Sequence, residues 1–554
     1  MRRLIVTGAA VLLAAAVAAC SSSASSSSGS TASSAKGPSG TLVIADTQGT
    51  QWNCSFNPFN PGNTATGVTF GQVYEPLVFV NTLQNAKTTP WLATAWAWSN
   101  NNKTLTFTIR NGVKWNDGTP MTAADVAFTF NQMKKFSGLD VNSVWSVLQS
   151  VTQSGNQVVM TFKAPSVPYF YYIGDQTPIV PQHIWSTIAN PVTYADSNPV
   201  ATGAFMVKPC TPQNITYVAN PHYWQPGEPK IAKVLYPAFT SNTPANTYLA
   251  TGQAQWGAQF IPNIQNVYAS KSPNNHYWFA PIANVSLIPN LTVPGLNNVA
   301  VRQAMAYAID RNKVSQIGEY GEEPPANQSA IVNSFSGWMN PQAAGQYTYN
   351  PAKAVQILTA AGYTKGSDGI FAKGGQRLSF TVINVGGYSD WVAAMSVIQQ
   401  NLKAVGIQIT PQNLALNAFT ARLYAGSYQL AYYAQTGGPT PYYEFRQWLY
   451  SANSAPIGKN ASSNWERYSN PATDALLNQY ATTTDSATQH QMVNQLQQVV
   501  LKDVPFIPMT QQVTWYQYNT GSFTGWVTPG NPYALPAAYS YPDVGQLLLH
   551  LAPK

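Results

Sequence analysis

The chain has 554 residues and a formal net charge of +8, and only 9% of its residues are charged. A single core usually divides beyond about 250–300 residues, so we expect two or three lobes. The basic residues do not cluster into a stripe, which argues against nucleic acid as a partner. Aromatic residues make up 12% of the chain, with 16 Trp and 31 Tyr, and this surplus needs an explanation.

The first 20 residues have the features of a secretory signal. Two arginines precede an apolar run over residues 4–19, which is shorter than the roughly 20 residues that a membrane-spanning helix needs. Cys20 follows the tripeptide Val-Ala-Ala and resembles the lipidated cysteine of a bacterial lipobox; an ordinary cleaved signal is the alternative. Residues 21–40 are almost entirely Ser, Ala, Gly and Thr, which predicts a flexible tether. We therefore expect an extracytoplasmic protein, anchored to the cell membrane by an N-terminal lipid on Cys20.

Two cysteines remain in the exported part of the chain, Cys54 and Cys210. In an oxidising compartment two such cysteines are more often paired than free, so we predict a disulfide between them. The five histidines are scattered and have no ligand spacing to either cysteine. Neither a metal site nor a cofactor is expected.

The next elements are strands and a capped helix. Residues 41–45 read as a buried strand, and residues 104–110 alternate polar and apolar side chains as a half-buried strand does. Residues 111–120 resemble a hairpin with Asp-Gly as its turn. Thr122 then precedes a helix, and Asp125 three residues later completes a capping-box pattern.

The second half alternates helices and strands. Residues 301–311 predict a helix with an apolar core stripe. Arg302 and Asp310 lie off this stripe, and they are expected to be solvated or, as the alternative, to have a functional role. Residues 354–361 and 392–405 have similar periodicity, and each run is followed by Gly, a usual helix stop. Residues 406–410 read as a strand. Mixed α/β lobes are expected.

Seven motifs follow one another in an order that resembles a known family. The longest is LATAWAWSNNNKTLTFTIRNGVKWNDGTPMTAADVAFTF at residues 92–130. The others are VPQHIW at 180–185, NPVATGAF at 198–205, YVANPHYW at 217–224, VRQAMAYAIDR at 301–311, YNPAKAVQILTAAGY at 349–363 and VPFIPM at 504–509. Together they resemble the family 5 extracellular solute-binding proteins of bacterial ABC importers, of the dipeptide- and oligopeptide-binding type. Ala201 and Ala204 depart from the family's usual Gly-Thr-Gly-Pro.

The resemblance implies an α/β fold, a two-lobed clamp of the type II periplasmic binding proteins with an extra N-terminal subdomain. The chain is expected to cross between the lobes twice. Lobe I then comprises residues 41–79, 186–293 and 512–554, the extra subdomain residues 80–185, and lobe II residues 294–511. The implied protein acts as a monomer and delivers its ligand to ABC permease subunits and their ATPase.

No residues of the sequence support the interpretation that the protein is an enzyme. The chain has no nucleophile elbow, no His-Glu-x-x-His motif and no phosphate-binding glycine loop. Glu322 and Glu323 are adjacent and so do not converge on one substrate face as a glycosidase pair does. We expect no enzymatic activity, and an anchored secreted hydrolase is the remote alternative.

Three segments are candidate walls of a ligand site, because strand-to-helix loops hold the ligands of open α/β folds. They are the loop after the first strand, the segment 384–391 and the segment 432–442. The candidate ligand-binding residues are Trp52, Asn53, Tyr388, Asp390, Trp391, Tyr433, Gln435, Thr436, Gly437 and Trp448.

The family's usual ligand, an oligopeptide, is the first expectation. Peptide binders of the family place an aspartate in the third segment for the peptide's amino terminus, whereas this chain has Gln435 and Thr436 and no Asp between Asp390 and Asp474. A buried ammonium without a counter-charge is costly. Neutral oligosaccharides of the cello, xylo or manno type, stacked on tryptophan, are therefore the alternative.

Overall fold

The structure is a computed structural model that describes residues 37–47, 51–60, 64–343, 345–434 and 437–554. The expected signal, Cys20 and most of the tether lie outside the described residues. The first strand, Ser39–Ala45, begins inside the expected tether, and the Ser39 amide donates to the Lys230 carbonyl at 2.9 Å. Cross-strand pairing therefore orders two residues that the composition alone assigned to a linker.

A mixed sheet of seven strands forms lobe I. Ser39–Ala45 lies inside it, parallel to both of its neighbours, and buries Leu42 and Ile44 completely. Alternating burial of this kind is what a strand in a packed sheet requires. In spatial order the strands are Asn275–Tyr277, Gln517–Asn519, Trp256–Gly257, Ser39–Ala45, Ile231–Pro237, Asn214–Ala219 and Phe205–Val207.

A five-stranded sheet forms lobe II. Its strands Ser379–Val385 and Gln408–Leu414 run parallel, and the helix Ser389–Ala404 makes the crossover that a parallel pair needs. Leu430–Ala434 also runs parallel to Ser379–Val385, so the carboxyl ends of both strands meet at one edge of the sheet. In spatial order the strands are Gln408–Leu414, Ser379–Val385, Leu430–Ala434, Pro281–Pro289 and Ile507–Val513.

An antiparallel sheet of four strands forms the extra subdomain. The predicted alternating strand is confirmed as Thr104–Ile109, with its apolar side chains buried. The capping box is also confirmed, since the Thr122 amide donates to the Asp125 carboxylate at 2.8 Å at the start of the helix Ala123–Lys135. In spatial order the strands are Ala93–Ser99, Thr104–Ile109, Gln157–Phe162 and Leu148–Ser154.

Short pairings and further helices complete the described fold. The remaining strands are Val78–Asn81 with Lys87–Pro90, Thr364–Lys365 with Phe371–Lys373 and Gln376–Arg377, and Phe523–Thr524 with Ala552–Pro553. The other α-helices are Thr64–Gly67, Gln182–Trp185, Asn242–Ala250, Ile264–Val267, Val299–Ala308, Arg311–Lys313, Pro351–Ala360, Leu416–Tyr424, Pro441–Leu449, Pro471–Thr482, Ser486–Asp503 and Asp543–His550. Tyr171–Asp175 and Val314–Gly318 are single π-helical turns.

The two lobes are joined by a pair of crossing segments, residues 278–280 and 514–516. These segments bond to each other, because the Trp278 amide donates to the Tyr516 carbonyl at 3.1 Å and the Thr514 amide to the Ala280 carbonyl at 2.7 Å. The strand pairing puts the first of these segments before the expected boundary at residues 293 and 294. Pro281–Pro289 pairs in the sheet of lobe II, so the first crossing lies before residue 281 and not after residue 293.

The helices of the second half are confirmed, with one correction. Gly362 and Gly406 follow two of them with φ of +83° and +82°, the left-handed backbone that glycine adopts at a helix end. The prediction that Arg302 is solvated is wrong. Arg302 is buried, and its guanidinium donates to the Leu296 carbonyl at 2.7 Å and the Val504 carbonyl at 2.8 Å. Its guanidinium is the hydrogen-bond donor for these carbonyl groups, which come close to it only when lobe II is folded.

Candidate functional site

A cavity of about 880 Å³ is lined by residues of lobe I, the extra subdomain and lobe II. At the edge of the five-stranded sheet where two parallel strands end, Tyr388, Trp391 and Ala434 contribute to its wall. Ligands of open α/β folds bind at such carboxyl ends. The size is that of a site for a small or medium-sized molecule.

The lining is rich in aromatic side chains. Trp391, in the first turn of the helix Ser389–Ala404, is held edge-on by Tyr388, Tyr432 and Tyr433, with ring centroids 5.1 Å, 5.5 Å and 5.6 Å away. Edge-on packing of this kind fixes a ring without covering both of its faces. The aromatic lining residues are Phe59, Phe70, Tyr171, Tyr172, Phe260, Phe335, Trp338, Tyr388, Trp391, Tyr424, Tyr433, Trp465, Trp515, Tyr539 and Tyr541.

The charged side chains of the lining, within the described residues, are Asp390, Asp543 and Arg446. Asp390 accepts from the Asn242 amide group at 3.0 Å, and burial raises the pKa of its carboxyl to about 7. Asp543 accepts from the Leu535 backbone amide at 2.7 Å, and burial likewise raises the pKa of Asp543 to about 7. Both carboxyls are thus partly protonated near neutral pH.

Several uncharged polar groups of the lining have no hydrogen-bond partner within the described part of the chain. They are the hydroxyl of Tyr388, the side-chain nitrogen of Gln259 and the indole nitrogen of Trp465. A buried donor without a partner costs free energy, so these groups favour a ligand that offers hydrogen-bonding atoms.

Five of the predicted ligand-binding residues line this cavity, namely Tyr388, Asp390, Trp391, Tyr433 and Gly437. Gln435 and Thr436 lie outside the described residues. Asn53 is exposed and its side-chain oxygen accepts from the Ser55 amide at 3.3 Å, in a local turn that is not part of the lining.

Trp52 and Trp448 are a correction, because both belong to the core and not to the cavity wall. Trp52 is 1% exposed, and its indole N–H donates to the Tyr236 carbonyl at 2.9 Å inside lobe I. Trp448 is fully buried and stacks on Phe506 with ring centroids 4.5 Å apart. Trp52 thus faces the strand Ile231–Pro237 of lobe I, and Trp448 faces Phe506 in the core of lobe II.

The loop of Trp52 is joined to the strand region of lobe I by a disulfide. Cys54 and Cys210 are bonded, with their Cα atoms 5.7 Å apart. The Trp52 amide also donates to the Pro212 carbonyl at 3.0 Å, close to that bond. The loop is therefore part of the framework of lobe I.

Many lining residues were not among the candidates. Tyr171 and Tyr172 come from the extra subdomain, and Tyr539 and Tyr541 from the last 20 residues of the chain. Their segments, YFYYIGD and AAYSYP, are rich in aromatic residues, and that density is the one signal that could have marked them. Sequence cannot distinguish such clusters from core, since most aromatic residues of this chain are buried.

Comparison with protein families identifies the fold. The profile of the bacterial extracellular solute-binding proteins, family 5 Middle, matches residues 87–456, about two thirds of the chain. The chain belongs to this family. It is therefore a transport receptor and not an enzyme, which removes the hydrolase alternative.

Relatives of this receptor differ in their named ligands. A nickel-binding periplasmic protein of Escherichia coli strain K12 is 26% identical over 410 residues, which cover 70% of this chain and 75% of that protein. A putative ABC transporter peptide-binding protein of Brucella ovis is 28% identical over 404 residues, covering 69% of this chain and 72% of that protein.

Two solved structures share the fold over nearly the whole chain. A periplasmic oligopeptide-binding protein of Thermotoga maritima, with mannohexaose bound, superposes with a TM-score of 0.87 at 27% identity and covers 93% of this chain and 98% of that one. The oligopeptide-binding protein AppA of Bacillus subtilis, in complex with a nonapeptide, gives a TM-score of 0.82 at 20% identity and covers 94% and 99%. Both neighbours support the two-lobed type II architecture.

The described part of the chain has no helix that combines the length and the apolar character needed to cross a bilayer. As a member of this family, the receptor works outside the cytoplasm and serves an ABC importer, whose permease and ATPase are separate proteins.

Proposed function

We propose that this receptor captures a neutral oligosaccharide and delivers it to its permease. The observation that carries the proposal is the composition of the cavity wall, in which aromatic rings and uncharged hydrogen-bonding groups predominate. Sugar rings present C–H groups on their faces and hydroxyls on their edges. Such a ligand matches aromatic faces and neutral donors and acceptors at the same time.

The unpartnered groups of the wall support this choice. The Tyr388 hydroxyl, the side-chain nitrogen of Gln259 and the indole nitrogen of Trp465 belong to different parts of the lining, so a chain of sugars can reach more than one of them. Each sugar hydroxyl both donates and accepts, and can therefore satisfy a partner of either kind. The mannohexaose bound to the similar Thermotoga protein, which is 27% identical, points in the same direction.

The charges of the wall favour a neutral ligand over a short peptide. A free amino terminus needs a nearby carboxylate, but the raised pKa of Asp390, about 7, leaves that group partly protonated at neutral pH. Arg446 already donates to the Asn142 carbonyl at 3.0 Å and to the Tyr169 hydroxyl at 2.9 Å. The carboxylate of a peptide would thus have to replace partners that Arg446 already has.

An oligopeptide is the second candidate. The carboxyl of Asp390 lines the cavity, and once ionised it could pair with an amino terminus. Several relatives are also named as peptide-binding proteins, among them the one from Brucella ovis.

A thermal-shift screen tests the ligand. Purified receptor is heated with manno-, cello- and xylo-oligosaccharides and, in parallel, with peptides of three to nine residues. A ligand at a hundred times its Kd stabilises the receptor by about 2.7 kcal/mol, a readily measured rise in Tm. We expect a rise with at least one sugar series. Stabilisation by peptides alone would overturn the proposal.

A pair of variants tests the site. We expect Trp391→Ala to abolish the sugar-induced shift, because it removes a ring of the wall. Trp98→Ala is the control, since Trp98 is a half-buried ring of the extra subdomain that packs on Phe162 at 5.2 Å and is not part of the lining. Equal loss of the shift in both variants would contradict the assignment of Trp391.

We also propose that lipid on Cys20 anchors the receptor to the cell membrane and that it acts as a monomer. The signal and the Ser-rich tether support the anchor. Cys20→Ser should release the protein from the membrane fraction of its host, and an unchanged distribution would rule the anchor out. Light scattering of the soluble Cys20→Ser form measures the mass, and a dimer would contradict the second proposal.

A further inference from the structure

Apart from the crossing segments, the lobes also meet where lobe II contacts the extra subdomain. There the helix Pro441–Leu449 and the turn after it contact residues 142–143 and 168–172. Asn142, Tyr171, Tyr172, Arg446 and Asn453 all line the cavity as well. The contact therefore closes one side of the ligand site.

Arg446 is the centre of this contact. It is 2% exposed, and its Nη2 donates to the Asn142 carbonyl at 3.0 Å and to the Tyr169 hydroxyl at 2.9 Å. Its guanidinium carbon lies 5.0 Å from the ring centroid of Tyr169 and 4.9 Å from that of Tyr172, both of the extra subdomain. A third ring, Tyr450 of lobe II itself, is also 4.9 Å away.

Two neighbours of Arg446 reinforce the contact from lobe II. The Tyr443 hydroxyl donates to the Pro168 carbonyl at 2.8 Å, and its ring packs on Tyr171 with centroids 5.1 Å apart. Asn453 accepts from the Ser143 hydroxyl at 3.3 Å and donates to the Arg446 carbonyl at 3.0 Å.

We infer that Arg446, with Tyr443 and Asn453, forms a latch that joins lobe II to the extra subdomain in the closed receptor and sets how slowly the ligand leaves. The inference rests on the receptor function proposed above, but not on which ligand is bound. The contacts of the latch residues with Ser143 and with residues 142 and 168–172 join protein groups on opposite sides of the cavity. Opening the clamp must break them all before the ligand can leave.

The chemistry of the guanidinium suits such a latch. Arginine is more weakly hydrated than lysine and stacks on aromatic faces, so its burial among tyrosines costs less. In the described residues no carboxylate lies within salt-bridge distance of Arg446, so its partners are rings, a hydroxyl and a backbone carbonyl. When the lobes separate, these partners withdraw and water replaces them. The closed form can thus re-form without dehydrating a carboxylate.

Dissociation rates test the latch. Mannohexaose is the first probe, and a nonapeptide replaces it if mannohexaose does not bind. Arg446→Lys keeps the positive charge but loses the planar guanidinium that donates the hydrogen bonds. Tyr169→Phe loses only the hydroxyl. We expect Arg446→Lys to speed dissociation about tenfold to a hundredfold, the usual effect of a lost hydrogen bond to a charged group, and Tyr169→Phe to speed it less. In the double variant the dissociation rate should rise by less than the product of the two single increases. Both substitutions change the same hydrogen bond, that between Arg446 and the Tyr169 hydroxyl.

Arg422→Lys is the matched control. Arg422 donates to the Ser427 carbonyl at 3.1 Å and to the Gln412 side chain at 3.0 Å, all within lobe II. We expect its dissociation rate to equal that of the unaltered receptor. Hydrogen exchange supplies a readout that needs no ligand: Arg446→Lys should exchange faster than Arg422→Lys over residues 139–146 and 168–176.

The outcomes separate the two proposals. If mannohexaose fails and the nonapeptide binds, the sugar proposal falls, and a faster release of the nonapeptide from Arg446→Lys still supports the latch. If neither probe binds, the exchange measurement decides. Equal exchange and equal dissociation in Arg446→Lys and Arg422→Lys would overturn the latch.

Discussion

Trp448 and Trp391 show that the same residue type serves two purposes in this receptor. Their exposures differ little, 0% and 5%. Trp448 stacks face to face on Phe506, whereas the three nearest rings around Trp391 all meet it edge-on. Trp391 lines the cavity and Trp448 does not. Exposure alone therefore does not separate a core ring from a ring of the cavity wall.

The largest expected effect comes from removing the core ring. Trp448→Ala should lower the free energy of unfolding by about 3–5 kcal/mol, because it leaves a cavity in a packed core. Trp391→Ala should lower it less, since water of the ligand cavity can occupy the vacated space. Urea unfolding of both variants measures the difference. Equal losses would show that the wall of the cavity is as well packed as the core.

Removing the disulfide tests whether the loop of Trp52 belongs to the structural framework of lobe I and not to the ligand site. Cys54→Ala with Cys210→Ala opens a closed loop with a sequence separation of 156 residues, and should cost about 2–4 kcal/mol of stability. Ligand affinity should be unchanged at a temperature where the variant is folded, because Trp52 does not line the cavity. Isothermal titration calorimetry measures this affinity. A weakened affinity would show that the loop of Trp52 contributes to the ligand site.

The smallest expected effect comes from two buried carboxyl groups, one in the core and one in the cavity wall. Glu75, in the core, accepts from the Trp91 indole at 2.7 Å and the Tyr223 hydroxyl at 2.8 Å, and burial raises the pKa of Glu75 to about 7. A raised carboxyl pKa means that the folded state binds more protons than the unfolded state. The stability that it contributes is complete below about pH 4.5 and is lost as the pH rises through 7.

Tm should therefore fall by a few degrees between pH 5 and pH 8, and Glu75→Gln should flatten this slope. Asp390→Asn is the matched change in the cavity, where burial raises the pKa of Asp390 to a similar value. This variant should also alter how ligand affinity depends on pH, which Glu75→Gln should not. If Glu75→Gln leaves the slope of Tm against pH unchanged, Glu75 is ionised in the fold throughout that range.

Local sequence patterns predicted many elements of this fold. The strand over residues 104–110, the capping box of Thr122 and the glycines after two helices depend on neighbours within a few residues, and the structure confirms them. The lobe boundary near residue 281 was misplaced, because strand Pro281–Pro289 is defined by partners more than 140 residues away in sequence.

The candidate site was predicted only in part, for the same reason. The second and third segments, with Tyr388, Trp391 and Tyr433, were recognisable because parallel strands end there. Tyr172, Trp465 and Tyr541 reach the cavity from separate parts of the chain, and nothing local distinguishes them from core aromatic residues.

The amino-acid sequence by itself determined the class of this protein: its α/β elements, its family motifs and its low charge are all properties of short segments or of composition. The tertiary structure alone decided which aromatic residues line the cavity and which only pack in the core. It also decided that Arg446 meets Tyr169, 277 residues away in sequence, across the cavity. The physical reason is that the role of an aromatic ring or a guanidinium depends on which surfaces reach it, and in a clamp of two lobes those surfaces come from distant parts of the chain.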